Sequence, residues 1–345
     1  MSARPLFGRR TRAYLEFVAA VFFYFVARSI AQRGTAGLTS EAWSPLVYQA
    51  MLAFLLIVVY AGFGLVFDGQ KHPIREQGLP RRDGWPGEAG LGIAIGWGAA
   101  VACVLPLMVA GGIAIVLSTE LSAWGWLAAD ALFFALAALA EEVAFRGYGF
   151  QRFSTVVGPI GASLGMAAFY AIVQSAQPGS TRLSVVVSVV FALLLSTAYV
   201  RTRALWVSWG LNFGWKASRA LLFGLTVSGV SSHSSVVEGD PMGPFWITGG
   251  GYGLEASWIA LLVLLIAIPV VYRATRELDF RYNAPVIIPG GVPVDLDAAA
   301  RKQHEAAMGA SEPAPPSLIQ ILPAVPPAAS NPAYESPVDA PTKSR

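Results

Sequence analysis

The sequence predicts an all-α membrane protein, a bundle of about eight transmembrane helices. Its residues are 55% hydrophobic and only 13% charged, and the mean hydropathy is +0.55. A soluble domain usually carries roughly 25% charged residues, about twice this fraction. The hydrophobic residues also gather into runs that are long enough to cross a bilayer as helices.

A basic leader, residues 1–12, precedes the membrane domain, which we expect to extend over residues 13–281. A cleaved signal peptide is the alternative for the first run, but the bulky side chains as far as Phe25 and Arg28 make a poor cleavage site. The third run is rich in glycine, which favours close packing between helices. The predicted spans are 13–32, 45–67, a stretch within 89–117, 122–140, 158–175, 183–200, 204–223 and 256–272.

The charged residues between the spans predict an orientation. Lysines and arginines gather on the side of the N-terminus, whereas the long loop 224–255 contains neither. The positive-inside rule therefore places both termini of this multi-pass protein in the cytoplasm. This distribution also explains the net charge of +3, so no nucleic-acid partner is implied. The family resemblance described below implies that the membrane is a bacterial plasma membrane.

Residues 282–345 differ in composition from the membrane domain. They are rich in proline and alanine, including two proline clusters at 313–316 and 323–327. Such a segment buries too little apolar surface to fold, so we predict a disordered cytoplasmic tail in which only residues 295–308 could form a short helix.

Cysteine and histidine are too few for two common kinds of site. Cys103 is the only cysteine and lies within an apolar run, so one chain offers neither a disulfide framework nor a thiolate metal site. His72, His233 and His304 all lie in polar stretches, and no HExxH zinc-protease motif is present. No metal or other cofactor is predicted.

The polar cluster Glu141, Glu142 and Arg146 ends the fourth apolar run, where ionised groups are costly and often functional. On a helix, Glu142 and Arg146 share a face and can form an ion pair. Glu141 is turned about 100° away and stays available as a general base. The alternative is a salt bridge that only reaches out to the membrane interface.

Three further polar residues lie within the predicted spans: Gln174 in the fifth, and Asn212 and Lys216 on one face of the seventh. A lysine that deep in a span needs a polar cavity or a carboxylate partner, and the two glutamates are the obvious candidates. The alternative is that Lys216 and Arg219 extend outwards to the membrane surface.

Taken together, these segments resemble the CPBP family of CAAX proteases and bacteriocin-processing enzymes, also called the Abi family. The likeness covers roughly residues 124–272, and its first motif is Glu-Glu-x-x-x-Arg-Gly. The segments that carry it are Glu141–Gly147, Gln177–Gly179, Arg201–Trp206, Val227–Val230 and Gly243–Glu255.

The resemblance implies hydrolysis of a peptide bond inside the membrane, in a membrane-embedded or lipid-anchored peptide or protein. It assigns the general base to Glu141, supported by Glu142 and Arg146. The family's second and third motifs contribute two histidines and an asparagine. In this chain Gln174 and Asn212 occupy the positions of those histidines, and Lys216 occupies the position of the asparagine.

These substitutions leave two main hypotheses. In the first, an active endopeptidase uses Glu141 as base, while Gln174 orients the water and Asn212 and Lys216 stabilise the oxyanion. In the second, the protein is a pseudoprotease with a binding or regulatory role, and a direct contact between Lys216 and Glu141 would indicate such a plugged site. A small-solute carrier is a third alternative, although no broken-helix repeat is evident.

The predicted spans also create a geometric conflict. If the fourth and fifth spans were straight helices, Glu141 and Gln174 would lie at opposite membrane surfaces, about 24 Å apart along the helix axis. A longer fourth helix, or a fifth helix that begins in an interfacial segment, would bring the two residues together.

Overall fold

The computed structural model describes residues 8–118 and 120–282. They form eleven α-helices, one π-helical turn and one pair of short strands. The first seven residues of the predicted leader, and the whole predicted tail from residue 283 onwards with its possible helix, lie outside the described residues. The elements are α1 (Arg9–Thr35), α2 (Ser44–Asp68), α3 (Pro73–Glu76), α4 (Trp85–Val109), β1 (Ile113–Leu117), α5 (Leu121–Arg146), α6 (Tyr148–Ser175), α7 (Arg182–Thr202), α8 (Trp206–Ala217), the π-turn (Ser218–Leu222), β2 (Val237–Pro241), α9 (Phe245–Thr248), α10 (Trp258–Ala274) and α11 (Arg276–Tyr282).

The predicted all-α membrane bundle is confirmed. Five segments of the described chain are long and apolar enough to cross a membrane, and one of them, Leu121–Ser175, contains both α5 and α6. Each of the eight predicted spans falls on a helix, although α8 is only 12 residues long and α10 only 17. The orientation of the bundle stays a prediction.

Helix α7 lies at the centre of the bundle. In its most apolar window 61% of the residues are buried, against 28–33% in the other four candidate segments. The helix begins at a capping box, in which Thr181 and Ser184 each accept a hydrogen bond from the other's backbone N–H. Packing on all sides thus makes α7 the scaffold against which the other helices are placed.

Helices α4 and α8 cross closely because glycines lie at their contact. Gly92 and Gly96 of α4 face the backbone of α8, and Gly210 and Gly214 of α8 face the backbone of α4. A Cβ atom at any of these four positions would collide with a backbone oxygen of the opposite helix. This small-residue contact fixes the position of α8, which carries two of the predicted site residues.

The chain reverses at Gly147, between α5 and α6, and α6 itself breaks at Gly158 and Pro159. Gly158 has φ 80° and ψ 167°, a conformation that glycine adopts far more easily than other residues. The predicted start of the fifth span at residue 158 coincides with this break, whereas the helical segment that precedes it from Tyr148 was not assigned to a span. The break returns the second half of α6 towards α5.

A two-stranded antiparallel ribbon follows α4, where the sequence predicted a continuation of the third span. Helix α4 ends at Val109, and β1 pairs with β2 so that Ile113 lies opposite Pro241. Glycines at positions 111 and 112 end the helix, and the β-branched run that follows suits a strand. The long loop after α8 is thus an ordered segment tied to α4.

Candidate functional site

Glu142 and Arg146 form the predicted ion pair, one helical turn apart at the end of α5. Arg146 Nη1 lies 2.9 Å from Glu142 Oε1, and the side chains are 1% and 0% exposed. Arg146 Nη2 also donates to the carbonyl of Ala192 in α7, at 3.1 Å. The pair is therefore enclosed within the bundle and joins α5 to α7, which contradicts the alternative of a salt bridge that reaches the membrane interface.

Glu141 points away from that pair, into a group of side chains from α6 and α8. Its Oε1 accepts a hydrogen bond from Lys216 Nζ at 2.5 Å, and its Oε2 accepts one from Asn212 Nδ2 at 3.0 Å. The Tyr170 hydroxyl lies 3.4 Å from the same Oε2. The Glu141 side chain is 25% exposed, so this is a carboxylate that remains open to a cavity.

Asn212 connects the two carboxylates. Its Nδ2 lies 3.0 Å from Glu141 Oε2 and 3.0 Å from Glu142 Oε1, and its side chain is fully buried. The amide group has two N–H bonds, so it can donate to both acceptors at once. Asn212 thereby fixes the relative positions of the open carboxylate and the enclosed one.

Gln174 reaches the site through Tyr170. Its Nε2 donates to the Tyr170 hydroxyl at 3.3 Å, and Gln174 lines the same cleft as Glu141. The separation of about 24 Å that straight spans would impose does not occur, because the helix breaks at Gly158 and its second half runs back alongside α5. A direct hydrogen bond between Gln174 and Glu141 is not formed in the described structure.

Lys216 and Arg219 do not extend to the membrane surface, so that alternative was wrong for both. Lys216 is buried and paired with Glu141. Arg219 is completely buried, and its guanidinium contacts both carboxylate oxygens of Glu255 at 2.6 Å. Glu255 lies just before α10, and its carboxylate also contacts Ser228 at 3.5 Å, so the Arg219 pair holds the long loop 224–255 against the π-turn that follows α8.

A cleft opens onto Glu141 in two chambers. The first, the Arg28 chamber, has a cavity volume of about 110 Å³ and is lined by Arg28, Tyr24 and Tyr48 among others. The second, the Lys216 chamber, has a cavity volume of about 100 Å³ and is lined by Lys216 and Ser228 among others. Glu141 lies at the junction, because the residues that line both chambers are Gln49, Glu141, Gln174 and Gln177.

The structure therefore brings together all six predicted site residues, and it adds several that the sequence did not single out. Gln49 and Tyr48 of α2 gave no signal, since isolated polar residues are common in an apolar span. Arg28 did give one, because a charged residue inside a predicted span indicates a cavity or a partner. Arg28 was nevertheless not among the predicted site residues.

The described residues contain no group of three or more His, Cys, Asp or Glu side chains that could hold a metal ion. His233 lies outside the cleft, where its Nδ1 is 3.1 Å from Asp130 Oδ1. What the cleft offers chemically is one carboxylate beside an ammonium group, a phenol and several amides. This set can exchange a proton at the carboxylate and donate hydrogen bonds to a developing negative charge.

Comparison with known proteins agrees with the resemblance inferred from the motifs. The family model described as Type II CAAX prenyl endopeptidase Rce1-like matches residues 122–218, from the start of α5 to the end of α8. No characterised protein and no solved structure matched the chain. The matched segment contains Glu141, Gln174 and Lys216, which meet at the cleft. This segment is similar to the CAAX protease family, and the long apolar helices indicate an integral membrane protein.

Proposed function

We propose that this protein is an intramembrane endopeptidase that hydrolyses a peptide bond in a membrane-associated protein or peptide, with Glu141 as the general base. The family supports a CAAX-protease-like endopeptidase at the level of the fold and reaction class. The observation that carries the assignment of the base is that Glu141 lies at the junction of both chambers, whereas the adjacent Glu142 is enclosed.

The proposed reaction needs one water molecule and the scissile peptide group. Glu141 accepts a proton from the water as its oxygen attacks the carbonyl carbon, which forms a tetrahedral intermediate with a negatively charged oxygen. Lys216 Nζ donates a hydrogen bond to that oxygen, and Asn212 Nδ2 donates a second one when the N–H that it directs at Glu141 turns to the oxyanion. Glu141 then gives its proton to the leaving amine as the C–N bond breaks.

Substrate binding must first separate Lys216 from Glu141. In the structure the ammonium group occupies Oε1, the oxygen to which a water would deliver its proton. A substrate carbonyl that enters the Lys216 chamber offers the ammonium another acceptor, so Lys216 can move from the carboxylate to the substrate. Gln174, hydrogen-bonded to Tyr170, then holds the water.

The experiment is a cleavage assay on the protein in liposomes, with a quenched fluorescent peptide pool that carries an N-terminal palmitoyl anchor. We expect wild type to cleave and Glu141→Gln to lose about 10²–10⁴-fold in rate, the usual contribution of a positioned base. Glu238→Gln is the matched control, since that carboxylate is exposed on β2. Equal rates for wild type and Glu141→Gln would contradict the proposal.

The contact between Lys216 and Glu141 favours a second candidate function, a pseudoprotease that binds peptides without cleaving them. Gln174 and Asn212 also favour a pseudoprotease, because they replace two histidines and an amide cannot take up a proton near neutral pH. In that case wild type does not cleave, and activity emerges only when Gln174→His and Asn212→His are combined. Cleavage by wild type that depends on Glu141 would exclude this candidate.

A further inference from the structure

The cleft contains a second cationic side chain, Arg28 of α1, which the proposed hydrolysis does not use. Helix α1 lies outside the segment matched by the family model. Arg28 is half-buried, and its guanidinium carbon lies 5.7 Å from the centre of the Tyr24 ring. The hydroxyls of Tyr24 and Tyr48 are its polar neighbours, and all three residues line the Arg28 chamber.

Arg28 differs from the other described arginines that are not exposed to solvent, because it has no acidic partner. Arg146, Arg152, Arg201 and Arg219 each lie within 3.0 Å of a carboxylate oxygen. Among the described residues, no carboxylate forms an ion pair with Arg28. A guanidinium inside a membrane helix is costly without an acidic partner, unless it faces water or a ligand. Arg28 faces the chamber that leads to Glu141.

We propose that Arg28 binds a carboxylate of the peptide substrate and so determines which peptides the cleft accepts. The inference rests on the proposed function, because a peptide supplies the carboxylate. A guanidinium binds a carboxylate through two parallel N–H bonds, and the two tyrosine hydroxyls can donate further hydrogen bonds to it. The carboxylate belongs either to the C-terminus of the substrate or to an aspartate or glutamate side chain.

The two chambers give the bound peptide a direction. Glu141 lies where they meet, so a peptide whose scissile bond is at Glu141 extends into both. Its carboxylate lies in the Arg28 chamber, against α1 and α2. The remainder of the bound peptide passes Lys216 and continues towards Ser228 in the long loop 224–255. Helix α1 therefore contributes to recognition, although it carries none of the family's motif residues.

The test is a binding measurement that does not depend on cleavage. The protein in nanodiscs is titrated, by fluorescence polarisation, with three pools of palmitoylated peptides randomised over uncharged residues. The first pool ends in a free carboxylate, the second in a carboxamide, and the third in a carboxamide with one internal glutamate. The variants are Arg28→Gln and Arg28→Lys, with Arg33→Gln as the control on the same helix, because Arg33 lines neither chamber.

We expect wild type and Arg33→Gln to bind one or both carboxylate pools at least tenfold more tightly than the uncharged pool. Arg28→Gln should abolish this preference, and Arg28→Lys should retain part of it, because lysine keeps the charge without the paired geometry. A preference for the first pool alone identifies the C-terminus as the source. A preference for the third pool identifies an acidic side chain.

Equal binding of all three pools by wild type, or an unchanged preference in Arg28→Gln, would overturn the inference. If Arg28→Gln does not elute as a monodisperse, folded protein, the decision falls to Arg28→Lys, in which the preference must decrease. The result is separable from the proposed function. A carboxylate preference without cleavage supports the Arg28 site and contradicts the proposed hydrolysis. Cleavage without a carboxylate preference supports the hydrolysis and contradicts the Arg28 site.

Discussion

Glu141 and Glu142 are adjacent in sequence and lie on the same helix, yet their surroundings have little in common. Glu142 is completely buried and takes its cation from its own helix, one turn away at Arg146. Glu141 is partly exposed and takes its cation from α8, at Lys216. A rotation of about 100° between neighbouring helical residues is enough to separate the two environments.

The comparison shows that the Glu142–Arg146 pair has a structural role, whereas the Glu141–Lys216 pair lies where a ligand can reach it. The enclosed pair forms further hydrogen bonds to the backbone of α7 and to Asn212 of α8, and so positions these helices. A pair at the junction of two chambers can exchange one partner for a ligand. The following four substitutions test this contrast, from the largest expected effect on stability to the smallest.

Removing Arg146 should have the largest effect. Arg146→Met leaves Glu142 buried without a counter-charge, which we expect to lower the free energy of unfolding by about 3–5 kcal/mol. Unfolding by SDS titration in mixed micelles measures the change. The double variant Glu142→Leu with Arg146→Met should recover most of the loss, because no uncompensated charge remains. A single variant as stable as wild type would show that the pair is not a structural one.

Widening the crossing of α4 and α8 should have the next largest effect. Gly214→Val forces its side chain against the backbone of α4 and should cost about 1–3 kcal/mol. It also displaces α8, so that Asn212 no longer reaches both carboxylates. The control is Gly98→Val, since Gly98 has open space where the side chain would lie. Equal unfolding midpoints for the two variants would contradict the close crossing.

Removing Lys216 should cost less than removing Arg146. Lys216→Met leaves Glu141 without its cation, but that carboxylate is 25% exposed and can be solvated through the cleft. We expect a loss of about 1–2 kcal/mol, between the values for exposed and enclosed pairs. Lys71→Met, an exposed loop variant, should change nothing measurable. A loss as large as that of Arg146→Met would abolish the distinction between the two pairs.

Removing the Tyr170 hydroxyl should have the smallest effect. Tyr170→Phe deletes the contacts to Glu141 at 3.4 Å and to Gln174 at 3.3 Å. Interhelical hydrogen bonds in membranes contribute about 0.6 kcal/mol on average, so the unfolding midpoint should shift only slightly. The rate of peptide cleavage should decrease more noticeably, because Gln174 loses the group that orients it. A larger shift of the unfolding midpoint than that of Gly214→Val would show that the Tyr170 hydroxyl is needed for stability.

The sequence predicted the parts of the fold that local physics controls. Long apolar runs located the helices, and the spacing of Glu142 and Arg146 predicted their ion pair. The ribbon of β1 and β2 was missed, because residues 113–117 are apolar enough to read as the end of a span, and their strand partner lies beyond α8. The helical segment between Tyr148 and Gly158 was not assigned to a span, although the fifth span was predicted to start where Gly158 and Pro159 break α6.

The sequence named six candidate residues but not their arrangement, because motif spacing identifies residues without showing which atoms touch. Hydrogen bonds connect all six, directly or through Tyr170, but of the six only Glu141, Gln174 and Lys216 line the cleft. That Asn212 donates to both carboxylates depends on how deeply α8 sits against α4, which is set by glycine contacts between distant segments. The role of Arg28 depends on the absence of a nearby acid, a property that only the packed structure reveals.

The ribbon has a consequence for the order in which the protein is made. Strand β1 precedes the matched segment 122–218 and β2 follows it, so the two strands cannot pair until the ribosome has released residue 241. Until then α5 to α8 are synthesised with the long loop 224–255 unattached, and Glu255 has not yet reached Arg219. The Lys216 chamber, which Val227, Ser228 and Val230 help to line, therefore cannot be complete before this loop has been made.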